Sequence, residues 1–225
     1  MKKIGFIGAF EKTDMIIYTA KILTEVGKKV LVVDTTILQK ARYIVPTISP
    51  TKTYITEYEE IDVAIGFEDF ESLNRYIGDI ENNYDLVLID VDSYEKFDSF
   101  GLQNAQKLYF VTAFDSFSLK KGIEVIGTMR QKVTMKKVLF EKEVSEDDNE
   151  YLNLLTLTYP IEWDEEIIYF PYEQGDLTAI IENQRVTKIK LKNLSEEYRN
   201  GLFMLSQEIA PEIKTGQLNK AFKNI

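Results

Sequence analysis

The sequence predicts a doubly wound α/β domain, a mainly parallel sheet with helices on both faces. Residues 2–9 (KKIGFIGA), 29–34 (KVLVVD) and 84–90 (YDLVLID) are short apolar runs, each ending in small residues or an acid. Unbroken apolar runs of this length are what strands covered on both faces look like. A helical pattern between the first two completes a βαβ unit of about 35 residues, whose crossover is right-handed and whose strands are parallel. With 225 residues and 44% hydrophobic content, the chain can bury one sizeable core.

The elements follow in order. After the first strand, Thr13 or Asp14 is placed to cap a helix. Met15, Ile16, Ala20, Leu23 and Val26 fall on one side of it, and Gly27 ends it. The second strand runs to Asp34. Residues 38–50 hold Pro46 and Pro50 and read as an irregular excursion. Tyr54–Tyr58 and Ile61–Phe67 have strand character, and Phe70, Leu73 and Ile77 have helical spacing. Residues 84–90 form the clearest central strand, with 107–112 and 136–140 as further strands. The acidic stretch 141–150 (EKEVSEDDNE) is expected to be a solvated loop. Ile167–Pro171 reads as a late strand and Ser195–Ile209 as an amphipathic helix. No repeat or Pro/Gly/Ser-rich linker divides the chain. One domain over 1–225 is expected, with 214–225 as a flexible tail, six to eight strands, and the runs 2–8, 29–34 and 84–90 adjacent at the sheet's centre.

Composition excludes several chemistries. Histidine and cysteine are both absent, so Ser-His-Asp and Cys-His catalysis, disulfides and a conventional zinc site are ruled out. Any catalysis falls to carboxylates, Lys, Tyr, hydroxyls or an oxygen-held metal. Lys and Arg number 27 against 37 Asp and Glu, a net charge of −10. So acidic a chain is poorly suited to the phosphate backbone, and no nucleic-acid partner is expected. No apolar run approaches the ~20 residues of a membrane span. The N-terminus MKKIGFIGAF reads as a strand rather than a secretory signal, so the expected location is the cytoplasm.

Ligands of such sheets sit beyond the carboxyl ends of the strands. Those ends carry Gly8 through Thr13, then Asp34, then Asp90 with Asp92. This order, with a Lys-Thr pair opening the first helix, resembles the ParA/MinD family of deviant Walker-A (SIMIBI-class) P-loop ATPases, over nearly the whole chain. The family's KGGxGKT loop aligns with Ile7-Gly8-Ala9-Phe10-Glu11-Lys12-Thr13, and its GKKVLVVD segment with Gly27–Asp34. Its Walker B strand aligns with residues 84–90. Its late IPED segment resembles Phe170-Pro171-Tyr172-Glu173, followed by Leu177 and Ala179.

The resemblance implies a nucleotide site at Gly8, Glu11, Lys12, Thr13, Asp90 and Tyr172. ATP and Mg²⁺ would be its cofactors, Thr13 and Asp90 would serve the metal, and Asp34 would position water if the site is active. The departures point to a vestigial site. Phosphate loops use glycines so that backbone N–H groups can wrap phosphates closely. Ala9 and Glu11 replace two of these glycines, and Glu11 sets a carboxylate where phosphates would lie. The family's signature lysine falls at Ile7. The base-reading asparagine is replaced by Phe140-Glu141-Lys142, and Tyr94 stands near the position of a switch glycine.

Each feature also has a bland reading. Thr13, Asp34 and Asp90 are equally at home as helix caps and turn acids. Asp92 is either part of a weak Mg²⁺ site or a solvated turn. Phe97, Phe100, Phe114 and Phe117 are either core or a docking surface beside the lost site. Phe10, at the loop tip, is expected to be exposed and to favour contact with another chain. Residues 217–225 carry Leu218, Phe222 and Ile225 on one side, as in the membrane-binding end helix of some MinD proteins. That leaves peripheral attachment at the inner membrane face or a frayed tail.

Two functions are weighed. The first is a non-hydrolysing pseudo-ATPase that positions a protein assembly, with TadZ/CpaE-type secretion and pilus members as the nearest analogy. The second is a slow Mg-ATP-dependent dimerisation switch. Under the first, the partners are proteins of the assembly or a nucleotide-independent homodimer.

Overall fold

A computed structural model describes residues 1–47, 51–141, 146–171 and 173–225. Pro50, Lys142 and Tyr172 lie outside the described residues. The strands are β1 (Lys2–Ile7), β2 (Val30–Asp34), β3 (Tyr54–Tyr58), β4 (Ile61–Ile65), β5 (Leu86–Val91), β6 (Lys107–Ala113), β7 (Val133–Glu141) and β8 (Ile161–Pro171). They form one sheet in the order β3-β4-β2-β5-β1-β6-β7-β8. Only β3, joined to β4 by a hairpin, runs antiparallel among these pairs. The expected trio β2, β5 and β1 lies together at the centre, in register through Val32, Leu88 and Ile4.

Alternation along each strand divides the core into two layers. On β2, Val30 and Val32 face one layer and Leu31 and Val33 the other; all four are at most 2% exposed. The first layer is roofed by α1 (Thr13–Glu25), α2 (Ala41–Ile44), α8 (Gln174–Val186), α9 (Glu196–Ile209) and α10 (Thr215–Asn224). The second is roofed by α3 (Phe70–Ile77), α4 (Ile80–Asn83), α5 (Tyr94–Ser99), α6 (Ser116–Gly127) and α7 (Glu146–Thr156). Helices on both faces explain why the central strands read as continuous apolar runs.

Several expectations give way. Helix α1 starts at Thr13 after Lys12, with neither Thr13 nor Asp14 as cap, and Lys12 makes no side-chain cap bond. Residues 146–150 belong to α7 rather than to a loop. This helix is held from below, where buried Lys137 of β7 donates to Asn149 Oδ1 at 2.6 Å and Asn153 Oδ1 at 2.5 Å. The excursion 38–50 contains α2. Residues 215–224 form a helix whose apolar side is taken up in the chain's own core. Leu218 is fully buried, and Phe222 packs on Phe203 with ring centroids 5.9 Å apart. Among the described residues, no helix is long and apolar enough to cross a membrane.

Lys137 has two neutral amide oxygens and the Trp163 ring, 5.0 Å away, as neighbours. Burial pushes its pKa down from 10.5 to about 8. The folded state therefore disfavours the charged form, and that penalty fades as pH rises from about 8 to 10.5. Wild type should gain stability relative to Lys137→Met between pH 7 and pH 10. Urea midpoints of both proteins at the two pH values check this, and an unchanged difference would contradict it.

Candidate functional site

The carboxyl ends of β1, β2 and β5 bring Gly8, Lys12, Thr13, Asp34 and Asp90 together. Gly8 follows β1 with φ +141°, and a Cβ there would stand 2.2 Å from the Val111 carbonyl oxygen of β6. Glycine is required here for close backbone approach, whatever the loop binds. Lys12 folds back across the turn. Its Nζ donates to the Gly8 carbonyl at 2.7 Å and forms an ion pair with Asp90 Oδ1, also at 2.7 Å. Both side chains are 2% exposed. Thr13 Oγ1 points at Asp90 Oδ2 over a long 3.4 Å.

Burial pushes the Asp90 carboxyl up; the Lys12 ammonium opposes this and the nearby Asp34 carboxylate adds to it. Asp34 is also pushed up by burial, against hydrogen bonds that favour its charged form. Its Oδ1 accepts from the Thr36 N–H at 3.0 Å and the Thr36 hydroxyl at 2.6 Å, and its Oδ2 accepts from the Ala41 N–H at 2.9 Å. Asp34 thus organises the turn into α2. Asp92 Oδ2 accepts from the Ile37 N–H at 3.0 Å, holding the same turn from the other side. Among the described residues, no group of three or more acids is placed to hold a metal ion.

Glu11 occupies the mouth of the loop. Its Oε1 accepts the Thr13 N–H at 2.9 Å and lies 3.3 Å from Lys40 Nζ. A helix N-terminus presents free N–H groups and positive potential, which makes it an anion site. Here the chain's own carboxylate is one such anion. Mg-ATP needs the lysine ammonium and the first helical amides to be available. Lys12 is committed to Asp90, the Thr13 amide to Glu11, and a triphosphate would meet the Glu11 charge. As arranged, these residues do not fit a Mg-nucleotide.

The expectation for Phe10 is corrected. It is half-buried and lies against Phe140, with ring centroids 4.6 Å apart. Phe140 stacks in turn on Phe170 at 5.0 Å, and Tyr198 stands edge-on to both. The chain therefore buries this aromatic within itself. Phe97 and Phe100 are core, Phe114 packs on it, and Phe117 is 68% exposed. Ile7 is fully buried at the end of β1. Near the expected switch glycine, Ser93 caps α5 by accepting from the Lys96 N–H at 3.4 Å.

Sequence reasoning missed Asp14 and Lys40. Asp14 lies in the first turn of α1, where Gln184 Nε2 reaches both its carboxylate oxygens at 2.9 Å and Lys40 Nζ lies at 3.4 Å. An acid directly after the Lys-Thr pair was a readable sign of a changed site. Lys40 stands in an aperiodic stretch that carries no such sign.

Solved structures share this arrangement of elements. A chain of the MinC:MinD cell division protein complex of Aquifex aeolicus matches with TM-score 0.63 at 16% identity, over 95% of this chain and 97% of that one. The fold is that of the ParA/MinD ATPases. A ParA family ATPase from Chlorobium tepidum matches with TM-score 0.61 at 12% identity, over 92% and 98% of the two chains. A putative plasmid partition protein of Borrelia burgdorferi bound to AMPPNP matches with TM-score 0.57 at 12% identity, over 95% and 100%. No protein-family model matches the chain, and no curated protein matches it in sequence. The ParA/MinD fold thus comes here with a phosphate loop whose charged groups bond to one another.

Removing one member of a buried ion pair strands the other, at a cost of about 3–5 kcal/mol, whereas replacing both with apolar residues is often close to neutral. Lys12→Met and Asp90→Leu should each destabilise by about 3–5 kcal/mol, and the double variant by much less than their sum. Denaturant unfolding of all four proteins checks this, and additive losses would show that the pair is not coupled.

Proposed function

We propose that this chain is a non-hydrolysing ParA/MinD-like pseudo-ATPase, a localisation or scaffold protein for a bacterial membrane-associated or secretion/pilus-type assembly. The observation that carries the reading is the phosphate loop's internal bonding: Lys12 on Asp90 and Glu11 on the Thr13 amide. Phosphoryl transfer depends on positive groups gathered around the transferred phosphoryl. Here the lysine is neutralised by an aspartate, and Glu11 brings a further negative charge to the loop.

Partner binding is the function left to such a fold. One of the similar solved structures is a complex of two cell division proteins. In this chain the turn after β2 leaves Ile37 and Leu38 exposed, at 76% and 79%, and the first turn of α6, which follows β6, leaves Phe117 68% exposed. These turns follow the carboxyl ends of their strands, on the loop's side of the sheet. A second copy of the chain, or a protein of the assembly, would cover such residues without any need for nucleotide.

Calorimetry with ATP or ADP and Mg²⁺ should show no binding heat. Glu11→Gly should increase any residual nucleotide affinity, because it removes both the charge and the Cβ from the loop. Saturable heat with a defined stoichiometry, abolished by Lys12→Ala, would overturn the reading in favour of a slow Mg-ATP switch.

Light scattering should give a mass that does not change on adding ATP, and Phe117→Ser with Leu38→Ser should abolish any dimer observed. A monomer that dimerises only with ATP would contradict the nucleotide-independent reading.

A further inference from the structure

Beside the phosphate loop, α1, α8 and the ends of β7 and β8 enclose a cleft of about 280 Å³. That is near the lower bound of ordinary ligand pockets, roughly 300 Å³. Its walls are apolar and aromatic, built from Phe10, Met15, Phe140, Ile180 and Tyr198. Its charges are one-sided, with Glu11, Asp14, Glu173 and Asp176 facing Lys40 as the one cation among the lining residues.

These carboxylates are not equally engaged. Asp176 is bonded to the Ser195 N–H at 2.6 Å and the Ser195 hydroxyl at 2.8 Å. Asp14 is 7% exposed, held by a neutral amide and by Lys40 at 3.4 Å. Burial pushes its pKa up, the sign of a carboxylate whose charge is incompletely compensated. Lys40 divides itself between Glu11 and Asp14 at 3.3 and 3.4 Å and is 36% exposed, so buried Asp14 has only a share of its charge. A further positive charge would be stabilised by these acids.

We infer that this cleft binds organic cations, a primary ammonium or guanidinium group on an apolar or aromatic body. The cation would lie toward Glu11 and Asp14 and the apolar body against Phe140, Ile180 and Tyr198. The inference rests on the pseudo-ATPase reading to the extent that no nucleotide competes for the mouth of the cleft. Such a group has two sources, a free amine or a basic side chain from a protein partner. Leu177 and Ile181 on α8 are 49% and 44% exposed among the lining residues, where a partner segment would cover them.

Thermal shift and NMR titration of the full chain test the site with 2-phenylethylamine, 3-phenylpropanoate and Mg-ATP. The amine should raise the melting temperature by several degrees at millimolar concentration, and the isosteric carboxylate should not. Glu11→Gln and Glu173→Gln, both conservative changes at half-exposed or exposed positions, should together weaken amine binding at least fivefold. Ile180→Lys should abolish it. A helical peptide with a leucine stripe and a central arginine distinguishes the sources. Binding at least tenfold tighter than the amine's assigns the site to a partner's side chain, and weaker binding assigns it to a free amine; either supports the cleft's chemistry. Equal shifts from amine and carboxylate, or none from the amine, would overturn the inference. A shift from Mg-ATP would instead count against the pseudo-ATPase reading, so the two failures are distinguishable.

Discussion

Beneath the first turn of α1, the Lys12 ammonium meets the Asp90 carboxylate at 2.7 Å, with both side chains almost wholly out of water. Two charges withdrawn from solvent in this way are costly unless they hold each other, so neither is readily released to a ligand. The pair spans the two central strands, since Lys12 follows β1 and Asp90 lies near the end of β5. The same lysine closes on the Gly8 carbonyl and so shapes the turn itself. In this chain, the residues that resemble a phosphate site are part of what holds the sheet's carboxyl edge together.

Around that pair the electrostatics are reversed from what a triphosphate needs. Glu11 accepts from the helix amide that would meet an anion. Asp14 adds a second carboxylate within the same turn, and Lys40 is shared between the two. The aromatic stack of Phe10, Phe140 and Phe170 fills the space at the ends of β7 and β8 with apolar rings. The cleft that remains is lined by apolar and aromatic side chains together with Glu11, Asp14, Glu173 and Asp176.

Much of the fold was legible because its central strands are buried on both sides. Runs such as Val30-Leu31-Val32-Val33 have one physical explanation in a chain of this length, and β1, β2 and β5 lie together as expected. Helix α7 was not legible. Its residues 146–150 are acidic and polar, and what holds it is tertiary, the buried Lys137 beneath Asn149 and Asn153. Helix α1 was legible from the spacing of Met15, Ile16, Ala20 and Leu23, but its cap was not, since Lys12 precedes it without a side-chain cap bond. At the site, Glu11 was legible as a charge but not as a hydrogen-bond acceptor for Thr13. Phe10 was misread because its partner Phe140 is 130 residues away in sequence. Asp14 and Lys40 come together through an aperiodic loop, and no spacing rule pairs them.

Lys12 on Asp90 and Glu11 on the Thr13 amide leave the loop bonded to itself. A crystal structure determined in the presence of millimolar Mg-AMPPNP measures this most directly. The expected result is no nucleotide density in the loop, with Lys12 Nζ still paired with Asp90 and Glu11 still accepting from the Thr13 amide. Ordered nucleotide with Lys12 turned onto a phosphate and Glu11 swung away from the helix would contradict it.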